Sequence, residues 1–123
     1  MQQLKLLVLI ICLTGCITMD NYITLSDAYN LQDFVDKKVK LTGKISEIPW
    51  QHMIGYFEEY GEFNYFDVQD YQIVIYSKSL INCKKALVIY GTVAEVSGQS
   101  KRQDSEEVYT EYHVIVDRWE CGE

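Results

Sequence analysis

The sequence predicts a small all-β domain, and two observations carry that expectation. From Val39 onward apolar and polar residues alternate, which is the period of a half-buried strand and not the three-to-four spacing of a helix. The segments that follow are rich in valine, isoleucine and tyrosine, residues that fit a pleated surface, and short polar or glycine-containing stretches separate them.

The chain opens with Met1-Gln2-Gln3-Leu4-Lys5, an apolar run from Leu6 to Leu13, and Thr14-Gly15-Cys16. One cation, a short apolar core and small residues before a cut describe a secretory leader. The run is too short to span a bilayer, which takes about 20 residues. Leu13-Thr14-Gly15-Cys16 resembles the lipobox of bacterial lipoproteins. That resemblance implies removal of residues 1–15 as a signal peptide, acylation of Cys16, and a membrane held through covalent lipid as the first partner. It also implies an extracytoplasmic location, on the outer membrane of a Gram-negative cell or the surface of a Gram-positive one. Ile17 stands where an aspartate would mark retention at the inner membrane.

Processing would leave 108 of the 123 residues, enough for one domain. We expect a lipidated tether over 16–23 and a folded domain over 24–123. The chain carries a net charge of −7, and loss of Lys5 with the leader takes it to −8. A chain this acidic repels phosphate backbones, so nucleic acid is a disfavoured partner. Of the four cysteines, Cys12 leaves with the leader and Cys16 is taken by lipid. Cys83 and Cys121 remain, in a compartment where disulfides persist, and are predicted to be bonded.

The elements follow in order. Leu25, Ala28, Tyr29, Leu31, Phe34 and Val35 stand close to helical spacing, which predicts one or two short helical turns between Thr24 and Lys38. Ser26 or Asn30 would cap them, Asn30 with Asp33 in a shortened capping box. In the first strand Val39, Leu41, Gly43 and Ile45 face one way and Lys38, Lys40, Thr42, Lys44 and Ser46 the other. Its glycine suggests a bend. Strands over 63–68 and 71–76, separated by Gln69-Asp70, read as a hairpin. A connection over 77–85 leads to strands at 86–96 and 108–119. If Cys83 and Cys121 lay opposite each other, antiparallel partners would sum to 204. Val88 would then meet Val116, Ile89 would meet Ile115, Tyr90 would meet Val114, and 97–107 would form the loop.

Three phrases look like strand signatures of the OB-fold superfamily: Val39-Lys40-Leu41-Thr42-Gly43-Lys44-Ile45, Phe66-Asp67-Val68-Gln69-Asp70 and Leu87-Val88-Ile89-Tyr90-Gly91-Thr92-Val93. The resemblance covers about residues 38–119 and is nearest to small exported OB-fold lipoproteins. It implies a five-stranded Greek-key barrel that takes ligands on the second and third strands and on two flanking loops. The segment 77–85 is shorter than the helix such barrels carry, and an SH3-like small barrel is the alternative.

The first of those loops holds Pro49-Trp50-Gln51-His52-Met53-Ile54-Gly55-Tyr56-Phe57, which is unusually aromatic for a connection. With ten tyrosines in the chain, this makes Trp50, His52, Tyr56, Tyr65 and Tyr71 the candidate ligand-binding residues. His52 and His113 lack any metal-ligand spacing, so no metal and no cofactor besides the lipid are expected. No nucleophile motif, P-loop or dinucleotide fingerprint is present. Glu58, Glu59 and Glu62 read as a solvated cluster more readily than as paired catalytic acids. The expected function is therefore a non-enzymatic envelope lipoprotein that binds a protein, peptide or glycan. A small inhibitor or immunity-type lipoprotein blocking an envelope enzyme is the first alternative, and a single-stranded nucleic-acid binder the second.

Overall fold

The structure, a computed structural model, describes residues 21–48, 58–99 and 106–122. Alternation in the sequence becomes alternation in space along β2 (Lys38–Ile45): Val39 and Leu41 are buried while Lys38, Thr42 and Lys44 face solvent. Before it come a two-residue strand, β1 (Ile23–Thr24), and a 3-10 turn at Leu31–Phe34. After it come a second 3-10 turn at Glu58–Tyr60, β3 (Glu62–Val68), β4 (Tyr71–Ser77), β5 (Leu87–Gln99) and β6 (Val108–Cys121). The chain is an all-β small barrel.

Five strands close the ring in the order β2–β3–β4–β6–β5, with β5 returning to β2. Every joint is antiparallel except β4 with β6, which is parallel and therefore requires a crossover connection. The joints are unequal. β5 and β6 pair along their length, whereas β2 meets β3 only at Lys44↔Asp67 and Ile45↔Phe66, and β4 meets β6 only at Ile75↔Val114 and Tyr76↔Ile115. Where β3 leaves β2, β1 takes the vacated edge, pairing Ile23 with Val39 and Thr24 with Lys40.

Val39, Leu41, Phe66, Ile75, Ile89 and Val114 fill the barrel, each out of contact with solvent. Ala28 and Leu31 from the N-terminal turn join this cluster, as do Ile81 and Cys83 from the connection between β4 and β5. These two segments supply the apolar cover that a short barrel needs. Cys83 and Cys121 stand at disulfide-bonding distance, with Cα atoms 5.8 Å apart.

The expected register of β5 against β6 is corrected. Cys83 lies outside β5, so the bridge ties a connecting segment to a strand end and does not mark a facing pair. The observed pairs are Ile89↔Trp119 and Tyr90↔Arg118, then Gly91↔Val116 and Val93↔Val114. The step leaves Asp117 as an extra residue, a β-bulge that re-aims the strand beyond it. Gly91 sits at that step because a Cβ there would lie 2.3 Å from the Ile115 carbonyl oxygen.

Two boundaries also move. The strands expected at 86–96 and 108–119 run to Gln99 and to Cys121, so Ser97, Gly98 and Gln99 belong to a ladder and not to a loop. The helical turns expected between Thr24 and Lys38 reduce to four residues, and Asn30 makes no side-chain cap. Ile23, assigned to the tether, is already a strand residue. The hairpin around Gln69-Asp70 is as expected, with Gln69 at a positive φ of 56°.

Candidate functional site

Because β4 and β6 share only two residue pairs, they part company toward their N-termini. The gap is a concavity of about 300 Å³ walled by Tyr71–Val74 of β4 and residues 110–113 of β6, with Ala28, Tyr29, Leu31 and Gln32 across its end. Tyr29 and Tyr71 stand at its rim, 47% and 40% exposed, with ring centroids 5.0 Å apart and a tilt of 58°. The N-terminal segment is held in place by an Asp27 carboxylate that accepts from the Tyr29 amide (3.1 Å) and by Gln69 Nε2, which donates to the Ser26 carbonyl (3.2 Å).

The Tyr29 hydroxyl donates to Asp70. That bond, with smaller contributions from desolvation and the nearby carboxylate charges, holds the Tyr29 hydroxyl above the ordinary tyrosine range. A raised folded-state value favours the native form below the ordinary tyrosine pKa, and the benefit is lost as pH rises through the raised value. Asp70→Asn is expected to bring the Tyr29 titration back toward the ordinary range, read from its ring carbon in an NMR titration. An unchanged midpoint would show that Asp70 is not the cause.

Deeper in the wall lies a polar chain of three side chains. The Tyr76 hydroxyl is 3.0 Å from His113 Nδ1, and His113 Nε2 is 2.9 Å from Glu111 Oε1. With a carboxylate accepting at Nε2, the neutral ring carries its proton there and accepts the Tyr76 hydroxyl proton at Nδ1. His113 is 2% exposed and Tyr76 fully buried, although both point outward from the barrel. Such a chain fixes ring orientation and presents Glu111 at the concavity. Tyr76→Phe leaves His113 Nδ1 buried without this donor and is expected to cost about 1–3 kcal/mol of stability in denaturant unfolding. A neutral effect would mean that the histidine finds another partner.

Of the predicted ligand-binding residues, the two that the structure describes, Tyr65 and Tyr71, stand on different faces. Within the hairpin, Tyr65 lies opposite Val74 on the outer face, whereas Tyr71 lies opposite Val68 on the inward side, at the concavity rim. Around Tyr65, half-buried, the outer face carries an edge-on pair with Phe63 (5.9 Å), and nearby Tyr60 meets Tyr76 edge-on at 5.3 Å. Phe66, its sequence neighbour, belongs to the core. Trp50, His52, Tyr56 and Cys16 lie outside the described residues. Tyr29, Glu111 and His113 were not anticipated. Glu111 and His113, two apart on one strand, share a face by simple alternation, so that part was readable; nothing in the sequence pointed to Tyr29.

Gln72 anchors the chain leaving β2. Its Nε2, with two hydrogens to donate, lies within hydrogen-bonding distance of three acceptors: Ser46 Oγ (2.7 Å), the Ile48 carbonyl (3.0 Å) and Asp67 Oδ1 (3.1 Å). Beside that clamp a wider hollow of about 660 Å³ is bordered by Lys44, Glu47, Ile48, Asp67 and Lys84. Among the described residues no group of three or more His, Cys, Asp or Glu side chains is placed to hold a metal ion, and no helix is long and apolar enough to cross a membrane. Compared with known proteins, the chain matches no family model, no curated protein and no solved structure.

Proposed function

We propose that the chain is an exported lipoprotein, processed at Cys16 and anchored by lipid outside the cytoplasm, whose barrel is a non-enzymatic binding module for a protein, peptide or glycan. One observation carries the reading: two exposed tyrosines, Tyr29 and Tyr71, rim a concavity whose wall includes Gln72, His113 and the Glu111 carboxylate that His113 orients. Apolar ring faces beside a few fixed hydrogen-bonding groups are the usual lining of a ligand site. Tyrosine suits sugars and peptides because it joins a flat apolar area to a hydroxyl.

The strand order also supports an OB-fold-like barrel. With β2 taken as the first strand of the ring, β3 and β4 are the second and third, the face on which such barrels take ligands. The one parallel joint fits a Greek-key closure and has no place in a simple meander.

The test is differential capture from intact cells with the lipidated protein, compared with Tyr29→Ala, Tyr71→Ala and Tyr65→Ala variants of confirmed fold. A ligand lost with the two rim substitutions places binding at the concavity. A ligand kept by all three variants overturns the site.

A further inference from the structure

The outer face of β2, β5 and the end of β6 is organised around two tyrosines. Tyr90 of β5 pairs with Lys40 on one side and Arg118 on the other. The Arg118 guanidinium lies 3.6 Å from the Tyr90 ring centroid and the Lys40 ammonium 5.6 Å from it. Tyr22, immediately before β1, is drawn into the same cluster. Its ring meets Tyr90 edge-on at 5.2 Å, lies beneath Lys38 at 5.6 Å, and its hydroxyl donates to the bulged Asp117 at 3.0 Å.

The result is a basic strip on an acidic protein. Lys38, Lys40 and Lys44 share one side of β2, with Arg118 beside them, in a chain whose net charge is −7. Acids border the strip: Glu120 pairs with Arg118 at 2.9 Å, Asp117 accepts from Tyr22, Asp67 stands opposite Lys44 in the ladder, and Glu47 shares the hollow beside Lys44.

Tyr22 also fixes where the tether leaves the domain. Only residues 17–21 separate it from Cys16, and a fully extended chain spans at most about 3.6 Å per residue. Lipid on Cys16 would therefore sit within about 20 Å of this face.

We propose that the Lys38–Lys40–Lys44–Arg118 face docks on the anionic lipid headgroups of the membrane that holds the anchor. The Tyr29–Tyr71 concavity lies toward the other end of β6 from Arg118 and takes no part in the docking. This inference rests on the lipid-anchor reading above. Lysines near an anionic surface each contribute about 1 kcal/mol, or about fivefold in occupancy, and tyrosines are at home at headgroup depth.

The test uses the intact lipidated protein in vesicles of phosphatidylcholine alone or with phosphatidylglycerol. A membrane-impermeant amine-acylating reagent is applied, and the rate at each lysine is read by mass spectrometry. Lys38 and Lys44 are expected to react about fivefold more slowly on the anionic vesicles. About 1 M salt should erase the difference. The Lys38→Gln, Lys44→Gln variant should lose the protection of Lys40. Equal rates on the two vesicles, with acyl chains present on Cys16 by intact mass, overturn the docking face alone. A protein without acyl chains that leaves both vesicle types overturns the anchor reading and this one together.

Discussion

Cys121→Ser is expected to lower folding stability by about 4 kcal/mol, because the bond it removes closes a loop between residues 38 positions apart. The choice of cysteine matters. Cys121 is exposed at the end of β6, whereas Cys83 is buried in the core cluster, so substitution at 121 breaks the bridge without opening a cavity. Folded domains hold only about 5–15 kcal/mol in total, so the loss should show as a large shift of the denaturant midpoint. Adding reductant to the native protein should reproduce it. A loss under about 1 kcal/mol would mean that the chain is already restrained when unfolded, contrary to loop-closure entropy.

Phe66→Ala is the second large effect, expected to cost about 3–5 kcal/mol. Phe66 is fully buried where β3 crosses β2, one of the two narrow joints of the ring. Its ring lies against Gly43, at which an added Cβ would meet Phe66 Cζ at 2.8 Å and the Asp67 carbonyl oxygen at 2.1 Å. The closer obstacle is backbone. Removing the phenyl ring therefore makes no room for Gly43→Ala, and the double variant should be close to the sum of the singles. Rescue of Gly43→Ala by Phe66→Ala would show that the side chain, not the strand crossing, excludes a Cβ at position 43.

How much of this was legible in the sequence depended on whether a feature was local. β2 could be read because one of its faces is buried and the other wet, and the β3–β4 hairpin because its turn is two residues long. The β5–β6 register could not be read from the cysteines, since Cys83 sits four residues before the first residue of β5 and the bulge at Asp117 is set by packing. Ser97, Gly98 and Gln99 looked like loop for a physical reason. β2 pairs with β5 no further than Thr92 and the last buried residue of β5 is Val96, so beyond it the hairpin runs on as a two-stranded arm with no core to demand apolar residues.

The candidate site was half legible. Tyr71 was singled out for its chemistry, but its separation from Tyr65 follows only once the hairpin partners are counted: Val68 for one, Val74 for the other. The concavity itself is a property of strands that touch at two positions and then diverge, and no single segment encodes it.

Those narrow joints also set the pace at which the molecule assembles. β3 with β4 and β5 with β6 are hairpins whose halves follow each other along the chain, and such ribbons form in about 1–10 μs. Closing the ring must wait for Ile45 to find Phe66 and Ile75 to find Val114, encounters between separate parts of the chain. Loop entropy is spent before those contacts return anything, which puts refolding in the range of about milliseconds to seconds. Pulse-labelled amide exchange should therefore find the β5–β6 ribbon protected early and the two short joints last.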